Sequence, residues 1–126
     1  MKGLHILAEF HDCACAGQTM RDPAAVQRLC LAACASAGLT VVGQVFHGFG
    51  TPEAPAGATG AVVLAESHLA VHTWPELDAV TLDLYVCNYS QDNRAAAEAA
   101  YDSLAAAFQP RRIVRRDLAR GSIDPG

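Results

Sequence analysis

Lysine is nearly missing from this sequence: Lys2 is the only one among 126 residues. A pyridoxal-phosphate enzyme holds its cofactor as a lysine Schiff base, and a lysine at a frayable N-terminus is a poor anchor, which excludes that cofactor. Amine or amino-acid chemistry would need a carbonyl from elsewhere. Positive charge is scarce in general. Nine Lys and Arg stand against 13 Asp and Glu, giving a formal net charge of -4 and a pI near 5.6. With one Trp, three Tyr and four Phe, this argues against a nucleic-acid partner. No apolar run approaches the roughly 20 residues that span a bilayer. Met1-Lys2-Gly3-Leu4-His5 enters a strand-like pattern without a signal-peptide core or cleavage site. The expectation is a cytoplasmic protein with no membrane partner. Its five cysteines, an odd number without export signals, are expected as reduced thiols. What is abundant is apolar: 52% of residues against 17% charged, enough for an ordered core. The length suits one domain, 1–126.

Leu4, Ile6, Ala8 and Phe10 alternate with His5, Leu7 and Glu9, predicting a first strand over 3–10. Cys13-Ala14-Cys15 and Gly17 follow as a loop. Asp22-Pro23 has the form of an N-cap followed by proline at the first helical position. Val26, Leu29, Cys30, Ala33, Cys34 and Ala37 keep helical spacing to a stop at Gly38, which makes Cys30 and Cys34 core thiols. Strands are predicted over 40–47, 61–66, 68–73 and 80–87, with a Gly-, Pro- and Ala-rich loop from Gly48 to Gly60 and a turn at Pro75-Glu76. Asp92 or Asn93 would cap a second helix whose apolar face is Ala97, Tyr101, Leu104, Ala105 and Phe108, ended by Pro110. Arg111, Arg112, Arg115 and Arg116 mark a last strand over 112–118 and read as solvated strand ends rather than an anion site. Residues 119–126 read as a flexible tail. Strands joined by short links, with two helices, predict an α+β fold: a two-layer sandwich, antiparallel sheet, both helices on one face.

The chemistry concentrates in Glu66-Ser67-His68-Leu69-Ala70-Val71-His72-Thr73-Trp74-Pro75-Glu76. A core strand needs none of those polar groups, although a hairpin with satisfied histidines would also account for them. A metal site is one rival, but His68 and His72 lie on a strand-like segment that Pro75 keeps from becoming a helix, so one ion is out of reach of both. A Cys–His nucleophile pair is another, with Cys87 or Cys13 as thiolate and His72 or His11 as base. In a third, the Ser67 hydroxyl attacks the carbonyl of Glu66, turning the amide into an ester. β-Elimination then leaves dehydroalanine, which hydrolyses to a pyruvoyl group, a built-in ketone able to serve as an electron sink. Ser67 and His72 are five apart and would face opposite ways on a regular strand, so this chemistry requires a turn or bulge at Ser67.

The same segment closely resembles the self-processing segment of S-adenosylmethionine decarboxylase proenzymes of the smaller bacterial and archaeal subtype. His5-Ile6-Leu7-Ala8-Glu9-Phe10, Val45-Phe46-His47-Gly48-Phe49 and Asp83-Leu84-Tyr85-Val86-Cys87 resemble further segments of that family in the same order. The resemblance implies cleavage between Glu66 and Ser67, with Ser67 as the precursor of a covalent pyruvoyl cofactor that forms a Schiff base with substrate. It implies His72 as the proton acceptor in processing and Cys87 as the proton donor after decarboxylation. Glu76 would bind the ribose hydroxyls, and Phe49 and Trp74 would stack on adenine and favour a sulfonium cation. His68 takes a structural place, and no metal is implied. The implied activity converts S-adenosylmethionine to its decarboxylated form and carbon dioxide for polyamine synthesis, in a homodimer of cleaved protomers.

The chain also departs from the family pattern. Thr59 stands eight residues before Ser67 where serine is usual, keeping the hydroxyl that supports processing but restricting its rotamer. Leu77-Asp78-Ala79 replaces a Tyr-Gly-Tyr-like turn, and Asn88 follows Cys87 where glycine is common. Such loops leave room for ornithine or arginine as substrate, with Asp78 facing the basic group. A reading of another class is a non-catalytic metal- or thiol-binding module built from His5, His11, Cys13 and Cys15.

Overall fold

The computed structural model describes residues 2–123. In chain order its elements are β1 (Gly3–His11), a short α1 (Gly17–Arg21), α2 (Pro23–Ser36), β2 (Val41–Gly50), β3 (Pro55–Leu64), β4 (Ser67–Trp74), a 3-10 turn at Pro75–Leu77, β5 (Ala79–Cys87), α3 (Arg94–Phe108) and β6 (Arg112–Arg120). The strands form one sheet in the order β2-β3-β4-β5-β1-β6, and each neighbouring pair is antiparallel. This is the α+β two-layer architecture expected from the sequence. No helix among the described residues is long and apolar enough to cross a membrane.

The alternation of β1 sets the layers. Ile6, Ala8 and Phe10 are buried, and they meet Val26, Cys30 and Cys34 of α2 and Ala97, Leu104 and Phe108 of α3 in one core with Leu69, Val71, Val80, Leu82, Leu84 and Val86. Each such aliphatic or aromatic side chain stabilises the fold by about 1.5–3 kcal/mol on burial. Burial pushes the Cys30 thiol up to about 12 and the Cys34 thiol up to about 11, so both stay protonated as packing groups. Among the described residues the opposite face carries no helix. Reading across the register, it presents Thr59, His72, Thr81 and Glu9 in one row. A second row holds Val63, His68, Tyr85 and His5.

The start of α2 follows its sequence signal. The Asp22 carboxylate accepts from the Ala24 N–H at 3.0 Å with Pro23 just inside the helix. At α3 the capping differs from expectation: Asn93 holds the N-cap position without capping through its side chain. The Asp92 carboxylate instead accepts from the Arg94 N–H and pairs with the guanidinium, which pushes its carboxyl down to about 2.

Four expectations need correction. Residues 48–60 are not a loop: β2 continues to Gly50, β3 begins at Pro55 and only 51–54 turn. Small residues are needed there because a Cβ on Gly60 would strike the Phe46 ring, and one on Gly57 (φ 116°) would sit 2.9 Å from Pro75 Cδ and 3.1 Å from the Thr73 carbonyl. The stretch after Cys15 is not all loop, since α1 starts at Gly17. The predicted tail begins too early: Ala119 and Arg120 pair with Leu4 and Gly3, while its last three residues, 124–126, lie outside the described residues. Nor are all the arginines solvated. Arg115 binds Glu98 and Asp117 and lies 4.4 Å over the Tyr101 ring, clamping β6 to α3.

Candidate active site

The sequence-predicted residues gather in two places at opposite ends of β4. At the Trp74 end, a cavity of about 480 Å³ is lined by Phe49, Thr59, His72, Trp74 and Glu76 over a floor of Ala58 and Thr73. Thr59 and His72 are opposite each other in the β3–β4 ladder, which brings Thr59 Oγ1 within 2.5 Å of His72 Nδ1. The contact fixes the ring and leaves Nε2 for other partners. Trp74 is 43% exposed and Phe49 48% exposed, so the two rings present uncovered apolar area. Trp74 Nε1 donates to Thr81 Oγ1 at 3.4 Å, and the 3-10 turn opened by Pro75 carries Glu76 to the rim. Thr73 supports the floor. Its buried hydroxyl donates to the Met20 carbonyl at 2.8 Å and accepts from the Ala58 N–H at 2.9 Å, fastening α1 beneath the pocket.

At the other end stands Ser67, the first residue of β4 after the turn Ala65-Glu66. Its φ is 134°, a region that L residues rarely adopt. Such backbone costs on the order of 1–3 kcal/mol and persists only where neighbours over-determine it. The neighbours are evident. The Glu66 carbonyl accepts from the Cys87 N–H at 3.1 Å. The Glu66 carboxylate accepts from the Ser90 N–H at 2.7 Å and from Asn93 Nδ2. Hydrogen bonds from Ser90 and then Asn93 hold the Glu66 carboxyl below its usual range. Asn88, Ser90 and Asn93 were not singled out from the sequence as site residues. Asn88 left a signal as a departure from glycine, whereas Asn93 reads as an ordinary helix cap.

The two ends are separated by five residues of extended chain, about 16 Å, and the structure does not bring Ser67 to His72 within one chain. The remaining candidates scatter. His5 Nε2 lies 3.3 Å from an Asp83 oxygen without hydrogen-bond alignment, and its ring meets Tyr85. His68 packs on the same Tyr85 ring, and the Arg120 guanidinium lies over that tyrosine at 4.2 Å from its centroid. His11 binds Glu9 at 3.0 Å. Cys13 is buried, and burial followed by its neighbours Cys15, Asp78 and Asp12 pushes its thiol up to about 11, while burial also raises Cys15. These are poor thiolates. Among the described residues no group of three or more His, Cys, Asp or Glu is placed to hold a metal ion, so the four members of the alternative metal or thiol module do not assemble.

An open-faced α+β sheet bearing an aromatic and carboxylate-rimmed pocket at one end and a strained serine hairpin at the other is the frame of a small-molecule enzyme. Comparison with known proteins narrows that class. Residues 4–121 match the family model described as S-adenosylmethionine decarboxylase. The S-adenosylmethionine decarboxylase proenzyme of Acidithiobacillus ferrooxidans is 36% identical over 122 residues, covering 97% of this chain and 84% of the relative. That of Pelotomaculum thermopropionicum is 35% identical over 121 residues, covering 96% and 88%. The crystal structure of the adenosylmethionine decarboxylase from Aquifex aeolicus VF5 superposes with a TM-score of 0.83 at 31% identity, covering 98% of this chain and 94% of that one. The chain belongs to the S-adenosylmethionine decarboxylase family.

Proposed function

We propose that this chain is a cytoplasmic, self-processing, pyruvoyl-dependent carboxy-lyase that releases carbon dioxide from S-adenosylmethionine and so supplies aminopropyl groups for polyamine synthesis. The observation that carries the reading is the backbone at Ser67, strained at φ 134° with the preceding carbonyl held by an amide donor. In the first step Ser67 Oγ bonds to the Glu66 carbonyl carbon, the C–N bond breaks and the hydroxyl proton passes to the freed nitrogen. An ester then joins Glu66 to the Ser67 side chain. The Cys87 N–H meets the negative charge that grows on the carbonyl oxygen, the arrangement that stabilises acyl-transfer transition states. Breaking the peptide also releases the strain stored at φ 134°.

In the second step His72 removes the α-proton of residue 67, the Cβ–Oγ bond breaks and the main-chain α-carboxylate of Glu66 leaves as the new C-terminus. Water then converts the dehydroalanine to a ketone with loss of ammonia. Ser67 fits a pyruvoyl precursor by position and strain, and the group supplies the electron sink that a chain with one lysine lacks. The chain's own side chains do the rest. Phe49 and Trp74 stack on the adenine, and Glu76 accepts from the ribose hydroxyls. The Cys87 thiol delivers the proton to the substrate carbon after carbon dioxide departs.

Because His72 stands about 16 Å from Ser67 along β4, the base that serves one Ser67 belongs to a second copy. A two-fold pairing of uncovered sheet faces brings the Ser67 end of one protomer to the His72 end of the other and makes two equivalent sites. It also covers Val63 and Leu118, both largely exposed in the single chain. The similar proenzymes of Acidithiobacillus ferrooxidans and Pelotomaculum thermopropionicum are S-adenosylmethionine decarboxylases, which favours that substrate over ornithine or arginine. Intact mass tests the reading. The purified protein should appear as two chains cut between Glu66 and Ser67, the second blocked to N-terminal sequencing, and should release carbon dioxide from S-adenosylmethionine. Ser67→Ala should remain whole and inert. An uncut, active wild-type protein would overturn it.

A further inference from the structure

Asn93 sits at the start of α3, away from the pocket of its own chain, yet it is only 4% exposed and every polar group of its side chain is engaged. Its Nδ2 carries two hydrogens and has two acceptors: the Glu66 carboxylate and the Cys87 carbonyl at 2.9 Å. Its Oδ1 accepts from Gln91 Nε2 at 3.0 Å, which fixes the orientation of the amide. Its own backbone N–H donates to Asn88 Oδ1 at 2.9 Å, and the Asn88 N–H donates to the Lys2 carbonyl at 3.0 Å. The bonds close a ring. From the Glu66 carbonyl the path runs to the Cys87 N–H, across the Cys87 residue to its carbonyl, through the Asn93 amide, and back to the Glu66 carboxylate. One side-chain amide therefore grips both the residue whose carbonyl is to be attacked and the residue whose N–H polarises it.

We infer that Asn93 is a positioning residue for self-cleavage, resting on the pyruvoyl reading above. It holds the Glu66 carbonyl against the Cys87 N–H during the attack of Ser67, and Asn88 holds Asn93. Without the bridge, Glu66 and Cys87 are joined to each other only by their backbone bond, at the mouth of a turn where the ladder ends, and the Ser90 N–H on the Glu66 carboxylate does not reach Cys87. The carbonyl is then free to rotate away from its donor, and misplacement by about 1 Å is enough to slow such a reaction by roughly 100-fold. The role is confined to the first step, since the amide touches neither the α-proton of residue 67 nor any group that removes it.

The test follows conversion of freshly synthesised full-length chain into two fragments by intact mass, for wild type, Asn93→Ala, Asn93→Asp, Ser67→Ala and Leu104→Ala. Asn93→Ala should cleave roughly 10- to 100-fold more slowly than wild type. Asn93→Asp should be slower still, because it sets a second carboxylate against Glu66. Leu104→Ala, which opens a cavity in the same helix, should lower the melting temperature at least as much and cleave at the wild-type rate. Hydroxylamine, which cuts esters, supplies a readout that a purely structural role would not move. Added early to Asn93→Ala it should release no extra fragment, because no ester has formed. In Glu66→Gln, where the bridge is already weakened, Asn93→Ala should cost less than in wild type. Cleavage of Asn93→Ala at the wild-type rate, cleavage that merely tracks melting temperature across all variants, or rapid cutting of Asn93→Ala by hydroxylamine would each sink the assignment while leaving the pyruvoyl reading intact. A wild-type chain that never cleaves would overturn both.

Discussion

The two ends of β4 are built on opposite principles. The Trp74 end is relaxed: regular ladder pairs place Thr59 opposite His72, aromatic rings stand open to solvent, and a cavity of about 480 Å³ waits between them. The Glu66–Ser67 end is tense: a residue at φ 134° is pinned through its neighbour by the Cys87 N–H, the Ser90 N–H and the Asn93 amide. A binding pocket needs shape and exposed apolar area, which a quiet strand supplies. A bond that is to break needs its ground state raised and its carbonyl held, which calls for constraint from outside the strand. In the function proposed above, that difference sets substrate recognition apart from self-processing by the length of one strand.

The sharpest way to break that comparison is to place each end on a different chain. Ser67→Ala and His72→Ala should each be inactive alone. Co-expressed, they should recover about a quarter of wild-type carbon dioxide release, because half of a random dimer population carries one of two sites intact. Zero recovery would mean that each chain uses its own Ser67 and His72. A smaller effect comes from Thr73→Val, which leaves the Met20 carbonyl and the Ala58 N–H unpaired beneath the pocket. It should lower stability by about 1–3 kcal/mol in chemical denaturation while the cleavage rate stays unchanged. Trp74→Ala should raise KM for S-adenosylmethionine about 10-fold, consistent with loss of a stacked aromatic face, again without slowing cleavage.

The smallest effect concerns His68. Burial, then Arg120 and His5, lower its pKa in the fold, opposed by Asp83. The unfolded chain therefore takes up the proton first as pH falls. The contribution is whole above the ordinary histidine value near 6.5 and is lost as pH drops through the lowered folded value. His68→Gln should flatten that part of a stability-versus-pH profile, measured by chemical denaturation, by no more than about 0.5 kcal/mol, since the half-buried ring still meets screening solvent.

What the sequence made legible is what local chemistry decides. The Asp22-Pro23 start and Gly38 stop of α2, the alternation of β1 and the break at Ser67 are each set by residues within a few positions, and all three appear in the structure. The first half of β3 was missed because Pro55, Ala56, Gly57 and Gly60 have no strand preference. They are extended because the ladder with β2 holds them, and Gly57 and Gly60 stay small because Pro75, Thr73 and Phe46 lie so close. The Asn93 bridge was invisible for a similar reason. Its partners are 27 residues away at Glu66 and six away at Cys87, and only the sheet brings those three together. The separation of Ser67 from His72 was half legible: their odd spacing demanded a distortion at Ser67, which is present, but not the distance that remains after it.

Strand order carries a further consequence for a severed chain. Cleavage at the Glu66–Ser67 bond would assign β1, β2 and β3 to one fragment and β4, β5 and β6 to the other, yet the sheet alternates them, with β1 lodged between β5 and β6. The fragments would be interleaved like shuffled cards, and parting them would require unzipping three ladders at once. Maturation would then leave the architecture untouched while removing the tether that made its folding unimolecular. A matured molecule that unfolds must find its other half by diffusion, so its durability would rest on how slowly it opens rather than how readily it re-forms.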